Sequence, residues 1–597
     1  MSYHATAGRF AVAAMKRFIY SMMLMVVAAG CAFAQVDFSG AWDHPGIFGQ
    51  EDFNDRGQGP EIGDYLGLPL NAAGLRKAES YSGSWLSVPE HQCTPHPAAY
   101  QMWGPNTLVV NTTYEPIRRT ATSIHLDGTF GMNRTVWMDG RPHPVPEARH
   151  TFEGFSTGRW EGDSLIVETS HMKAGWLRRN GTPTSEWARM LEYFTRYDDY
   201  LLVTTIVDDP VYFTEPFVRT TEYLPVERPE PTLGDPFTRN DGAIFYKCFP
   251  AEETTAGQYY VPHYLPGENE LLDEYAEKYA VPRWSMNAGG ASMYPEFAEV
   301  IERRDESGVT VPPANVQPRS PQADGIRSMH VRGKVWAIFG AGGNVTVQIG
   351  DEGVLVVDTG SGDMASTLRD EIRTLAGDRP VRYVITTHFH EDHSGGNVAI
   401  ASEPLQRAAI IAHENVGLRL IEAEQEAGNL IMDTYYGASK SIYFNDEAIE
   451  IIHVPSAHTD GDSLVFFRGS DVVSAGGVIS TLNFPEFRVE HGGSVNGLLA
   501  GINRILDITV AESRGQGGTL VVPGRGRIYD ETDVAEYRDM LTIVRDRIQH
   551  SVDAGKSLRD VQRDRPALDY SGIFDATDGD WTTEAFVEAT YRDLDGL

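Results

Sequence analysis

His388-Phe389-His390-Glu391-Asp392-His393-Ser394-Gly395-Gly396 decides how the C-terminal half of this chain is read. Three histidines and an aspartate fall within six residues. The apolar run Val381–Thr386 just before them reads as a buried strand. His388 and His390 therefore leave a strand end one residue apart, which turns both rings to the same side. Zinc needs several imidazole or carboxylate ligands converging at about 2.0–2.2 Å, and Gly395-Gly396 lets the backbone turn sharply after the ligands. A third imidazole comes from Ala457-His458-Thr459-Asp460-Gly461-Asp462, on a loop between the strand-like runs Ile449–Val454 and Leu464–Phe467. His388, His390 and His458 are thus the expected metal ligands, with Asp392 and His393 beside them. A cluster of solvated surface histidines is the bland alternative. It does not explain why spacing, aspartate and paired glycines all fit one metal loop.

Working outward, Val345–Ile349 and Val354–Val357 read as strands joined by the turn Gly350–Gly353. Met364, Leu368, Ile372 and Leu375 recur at helical spacing. Val495, Leu498, Leu499, Ile502, Ile505 and Leu506 form one apolar helix face. A second face runs through Val534, Tyr537, Leu541, Val544, Ile548 and Val552 and stops at Gly555. Strands alternating with helices predict a layered α/β core over 326–550, with 551–597 as an extension packing on it.

These motifs resemble the metallo-β-lactamase superfamily. His388-x-His390-x-Asp392-His393-Ser394-Gly395-Gly396 is similar to its signature, and Val354–Gly360 is similar to its first motif strand. The resemblance implies that Asp358 orients a metal-binding histidine from behind. His458-Thr459-Asp460-Gly461-Asp462 is similar to the loop supplying the third ligand. It implies an αββα sandwich with metal at one edge. Two positions depart from the pattern. Arg525, in Pro523-Gly524-Arg525-Gly526, stands where the family generally has histidine. Gly477 stands where an Asp or Cys commonly completes the second site, so the resemblance implies that Asp392 and His393 are left as a possible incomplete second site. Glycine has no ligand atom, and a guanidinium stays protonated and repels a cation. The expectation is therefore zinc, one ion favoured over two, with Asp392 orienting water or taking its proton. Arg525 is expected to stabilise Asp392 and anchor substrate charge. Gly477 argues against an iron-type site that uses the mid-domain Asp. His413, His453 and His491 read as structural or surface residues.

From Val36 to Pro225 the chain reads as short strands, including Thr107–Asn111, Ser164–Glu168 and Leu201–Val207, with Gly158–Asp163 as a turn. This antiparallel β-rich domain (35–225), a barrel or sandwich, resembles a region of exported bacterial proteins of unassigned function. Phe38-Ser-Gly-Ala-Trp42 resembles the opening of lipocalin-like barrels. Residues 226–325 read as a connector with helices at Glu268–Ala280 and Pro295–Arg304 and a proline-rich linker at Val309–Pro321.

At the N-terminus, Lys16-Arg17, the apolar run Phe18–Ala29 and Ala32-Phe33-Ala34 have the layout of a secretory signal peptide over 1–34, with Met15 as an alternative start. The expected location is the bacterial periplasm or the exterior, where Cys93 and Cys248 are expected to form a disulfide. The balance of 50 Lys+Arg against 84 Asp+Glu gives a formal net charge of −34. That field disfavours nucleic-acid and anionic-membrane partners, and no apolar run beyond the signal has transmembrane length. The sequence thus describes a multidomain chain expected to be an exported zinc hydrolase acting on a small molecule. It would attack a carbonyl, in a lactam, lactone, ester or thioester, with metal-bound hydroxide. The competing reading is a non-catalytic, metal-retaining binding or scaffold protein. The oligomeric state is left open.

Overall fold

The computed structural model describes residues 36–43, 61–82, 96–102, 107–117, 119–128, 133–178, 180–226, 261–303, 313, 325–402, 407–422, 432–513, 516–575 and 581–596. The expected signal peptide 1–34, the expected Cys93–Cys248 disulfide and most of the proline-rich linker lie outside the described residues.

The N-terminal barrel strands are β1 Gly40–Asp43, β2 Thr107–Tyr114, β3 Ala121–Gly128, β4 Asn133–Trp137, β5 Phe155–Glu161, β6 Ser164–Ser170, β7 Arg189–Tyr197, β8 Tyr200–Asp208 and β9 Phe217–Val226. Taken in sequence they pair neighbour to neighbour, and β1 pairs both β2 and β9, closing a barrel. Alternation does the work. In β8, Leu201, Val203, Thr205 and Val207 are buried while the intervening residues are not. Closure removes the exposed edges an open sheet would leave.

Two details differ from the sequence reading. Gly158–Glu161 belong to β5 and pair with Val167, Ile166, Leu165 and Ser164 of β6, so that only Gly162-Asp163 turn. One neighbour pair, β4 with β5, is parallel (Val136 opposite Ser156, Trp137 opposite Thr157). A parallel pair cannot be joined by a tight turn, and the chain makes a long excursion over 138–154 between them. That excursion meets the C-terminal domain. Ile528 N–H donates to Glu147 O at 2.9 Å, and Glu147 pairs with Arg327.

The connector's helices, α1 Glu270–Tyr279 and α2 Glu296–Arg303, are present. Leu272 and Met286 join the same buried cluster as Tyr65 and Leu70. Residues 261–303 thus form part of the N-terminal body rather than a free tether.

The C-terminal domain is built on two large sheets. The first consists of β10 Arg327–Arg332, β11 Val335–Ala341, β12 Gly343–Gly350, β13 Gly353–Val357, β14 Val381–Ile385, β15 Ala409–His413 and β16 Met432–Tyr435. The second consists of β17 Ser439–Phe444, β18 Glu447–His453, β19 Ser463–Phe467, β20 Val472–Ser480, β21 Leu520–Arg525 and β22 Tyr529–Asp530. Between them lie Phe339, Leu355, Val357 and Ile385 from one sheet and Ile449, Ile451, Val465 and Phe467 from the other. Helix α3 Ala365–Ala376 covers the first sheet's outer face through Leu368 and Ile372. Helices α4 Val495–Ile508 and α5 Glu531–Asp553 cover the second sheet through the two apolar faces read from the sequence. This is the αββα order. The extension adds α6 Leu558–Asp564, α7 Leu568–Phe574 and α8 Thr583–Asp595. Phe574 packs on Phe484 and Tyr537.

Candidate metal centre

The ends of β13, β14, β18, β20 and β21 converge at one edge of the sandwich. His388 and His390 follow β14, His458 lies between β18 and β19, Gly477 is within β20, and Arg525 ends β21. One donor nitrogen from each of His388, His390 and His458 lies within 4.8 Å of the others. The rings are 5.2, 4.8 and 4.7 Å apart, centroid to centroid, for the 388–390, 388–458 and 390–458 pairs.

Hydrogen bonds behind the rings set which nitrogen faces the centre. His458 Nδ1 lies 2.6 Å from the Glu486 carbonyl oxygen, which only accepts, so the Nε2 lone pair faces inward. Thr387 gives its hydroxyl proton to Asp358 Oδ2 at 2.8 Å, which leaves its oxygen to accept from His388 Nδ1 at 3.0 Å. The inward nitrogen of His388 is again a bare Nε2. Asp358 also accepts from the Thr387 N–H and from His393 Nδ1, each at 2.8 Å. It orients His393 directly and His388 through Thr387. To reach both, Asp358 adopts a left-handed backbone (φ 60°), a conformation Asp tolerates better than most side chains.

Electrostatics favour ligation. Burial, reinforced by the neighbouring imidazoles, lowers the pKa of His388 well below the usual histidine value. It lowers His390 to about 2 and depresses His458 as well. Three neutral imidazoles are what a divalent cation requires. His393 behaves oppositely. Burial lowers its pKa, but the hydrogen bond to Asp358 together with the negative charges of Asp358 and Asp392 outweighs burial, and the net shift is upward.

Close approach is secured by Gly477. A Cβ there would sit 2.5 Å from His458 Cδ2 and 3.2 Å from His388 Cε1, so glycine is what lets both rings lie against β20. Arg525 donates from Nε (3.1 Å) and Nη2 (2.6 Å) to Asp392 Oδ2. His393 Nε2 is 3.4 Å from the same oxygen. Burial raises the Asp392 pKa, but His393 and Arg525 outweigh it and bring the carboxyl down to about 2. The three histidines could thus hold a cation, while Asp392 is already bound by the Arg525 guanidinium. The donor set fits zinc, which takes neutral imidazole nitrogen.

Residues 339–506 match the family model described as the metallo-beta-lactamase superfamily. This stretch is a metallo-beta-lactamase domain. No curated protein matches the chain. Among solved structures, the chain is similar to a stereoselective inverting sec-alkylsulfatase from Pseudomonas sp. (14% identity, TM-score 0.37, 45% of this chain and 50% of that one). It is similar also to a metallo-beta-lactamase from Pontibacter korlensis (17%, 0.31, 36% and 99%) and to the DIM-1 metallo-beta-lactamase (19%, 0.29, 36% and 97%). The chain spans about half the length of the alkylsulfatase.

A metallo-beta-lactamase domain is of the metal-dependent hydrolase type, and its metal edge opens into a cavity of about 360 Å³, near the small end of ligand pockets. His388, His390, Asp392, His393, His458, Gly477 and Arg525 all line it. His413 and His453 do not. They stack on each other, 3.6 Å between centroids, beside Tyr435. His491, read from the sequence as structural or surface, lies on the cavity wall beside Phe389 and His390. The missed signal was His491-Gly492-Gly493. A Cβ at Gly493 would meet His458 O at 2.5 Å, so those glycines bring the His491 loop onto the His458 loop.

Proposed function

We propose that this chain is an exported zinc hydrolase that attacks the carbonyl of a small lactam, lactone, ester or thioester, with one zinc ion. The observation that carries the reading is the convergence of three neutral imidazoles from two loops on an open cavity, beside a carboxylate clamped by Arg525. His388, His390 and His458 would hold the zinc, which would supply the Lewis acidity that makes water acidic enough to lose a proton near pH 7. The protein's own groups do the rest. Asp392, ionised throughout the neutral range, is placed to accept a hydrogen bond from the attacking water and orient it. Arg525 keeps donors free beyond the two spent on Asp392, and these favour negative charge developing on substrate oxygen. Ile479 is the one aliphatic side chain among the cavity's lining residues, so the bound portion of the substrate should be compact and polar rather than a long alkyl chain.

The Asp392–Arg525 pair also supports a single ion, because a second cation beside Asp392 would have to displace a guanidinium at 2.6 Å. The test is metal analysis of the purified chain together with hydrolysis of chromogenic lactam, lactone and ester substrates, with and without chelator. The expected outcome is one zinc per chain and turnover that the chelator abolishes. His458→Ala should lose both. Two firmly held zinc ions would overturn the one-metal picture. A zinc-loaded protein inert on every substrate would favour the binding or scaffold reading.

A further inference from the structure

The hydrolase reading gives no task to His491, whose side chain lines the cavity. His491 closes the short turn Val489–His491, and its backbone is fixed on both sides: its N–H donates to Arg488 O at 2.9 Å, and its carbonyl accepts from Asp460 N–H at 3.0 Å. Its ring stands edge-on to Phe389, 5.0 Å between centroids, and 5.7 Å from the His390 ring. Nδ1 is buried without a hydrogen-bond partner among the described residues. A proton there would be a sealed donor with no acceptor, which folded proteins tolerate less well than a sealed lone pair. The neutral ring therefore carries its proton on Nε2. That atom is neither buried nor bonded to another described residue, and it belongs to a side chain lining the cavity.

We propose that His491 Nε2–H is a fixed hydrogen-bond donor to the substrate, aimed at the oxygen that gains negative charge as the carbonyl is attacked. This rests on the hydrolase reading. The loop carrying His491 also supplies the Glu486 carbonyl that orients His458, and Arg488 N–H donates to His458 O at 3.3 Å. One loop thus places a metal ligand and the donor together, so the donor needs no reorganisation when charge develops. No proton is transferred in this role, since the bond stabilises an oxygen that the metal edge activates.

The test uses the zinc-loaded full chain and has two arms. Nitrogen-15 NMR of the histidine rings should assign His491 to the Nε2–H tautomer. An Nδ1–H tautomer would overturn the proposal whether or not a substrate is found. In kinetics on whichever chromogenic ester, lactone or lactam is hydrolysed, His491→Phe should lower kcat about 10²- to 10³-fold, the usual cost of one oxyanion donor. KM, zinc content and the unfolding midpoint should stay at wild-type values. His491→Gln, which returns an N–H near the same place, should recover part of the loss. Wild-type kcat in His491→Phe, or a loss that follows zinc content, refutes the donor role and leaves the hydrolase reading standing. A zinc-loaded wild type that hydrolyses nothing removes both.

Discussion

At Arg525 the guanidinium meets one oxygen of Asp392 through two nitrogens, and His393 approaches the same oxygen from the other side. On the one-zinc reading, charge at this point would limit how many cations the edge can hold. Arg525→His would remove a fixed positive charge and restore an imidazole beside Asp392 and His393. The variant should bind a second zinc that the parent does not, read by metal analysis after dialysis. Unchanged stoichiometry would mean that Gly477, rather than Arg525, closes the second site. A different residue-scale effect concerns His413. Burial, with the stacked His453, depresses its pKa to about 4. Unfolded, it takes a proton near its ordinary value of about 6.5. Between those values the unfolded chain binds more protons, so stability falls as pH drops through this window and the full contribution is present only above it. Unfolding midpoints measured from pH 7 to 4 should fall less steeply in His413→Gln than in the parent.

Helix α5 begins at Asp530, which caps Asp533 N–H while Asp533 returns a bond to Asp530 N–H. Both carboxylates are buried, and Lys173 from the barrel lies 2.5 Å from Asp530 Oδ1 and 3.0 Å from Asp533 Oδ2. Replacing Lys173 with Met would leave two buried carboxylates one cation short. A loss of about 3–5 kcal/mol is expected from breaking such a pair on one side, measurable as a lower urea midpoint with unchanged slope. The sequence made α5 itself plain, because Val534, Tyr537, Leu541, Val544 and Ile548 keep helical period. The histidine loops were legible for the same kind of reason, since a metal-ligand set would impose short fixed spacings such as that of His388 and His390. The parallel meeting of β4 and β5 was not legible, because nothing local in 133–161 distinguishes a hairpin from an excursion that returns to the same end. Nor was the place of His491. It depends on loop 486–493 lying on His458, nearly thirty residues away in sequence, and only paired glycines hint at that contact.

At the scale of the whole molecule, the barrel and the metal domain share a core. Trp42, Leu108 and Phe194 belong to the same buried apolar cluster as Val473, Leu498, Tyr537 and Phe574. Polar contacts rim it: Arg527 pairs with Glu186 as well as Asp533, Glu147 holds Arg327, and Lys77 Nζ donates to Tyr570 OH at 3.1 Å. Domains joined by small polar interfaces move and melt separately, whereas a large apolar interface couples them. Arg527 sits two residues from Arg525, so the coupling reaches the edge that would hold the metal. A ligand bound only by the folded form stabilises every part that must unfold with its site. Removing metal with a chelator should therefore lower the melting temperature of the barrel together with that of the metal domain, in a single calorimetric transition. A fluorophore near the β7–β8 turn would report on the barrel. If its transition stayed in place while the metal domain's moved, the shared core would be two cores in contact, and the barrel would have no mechanical hold on the site.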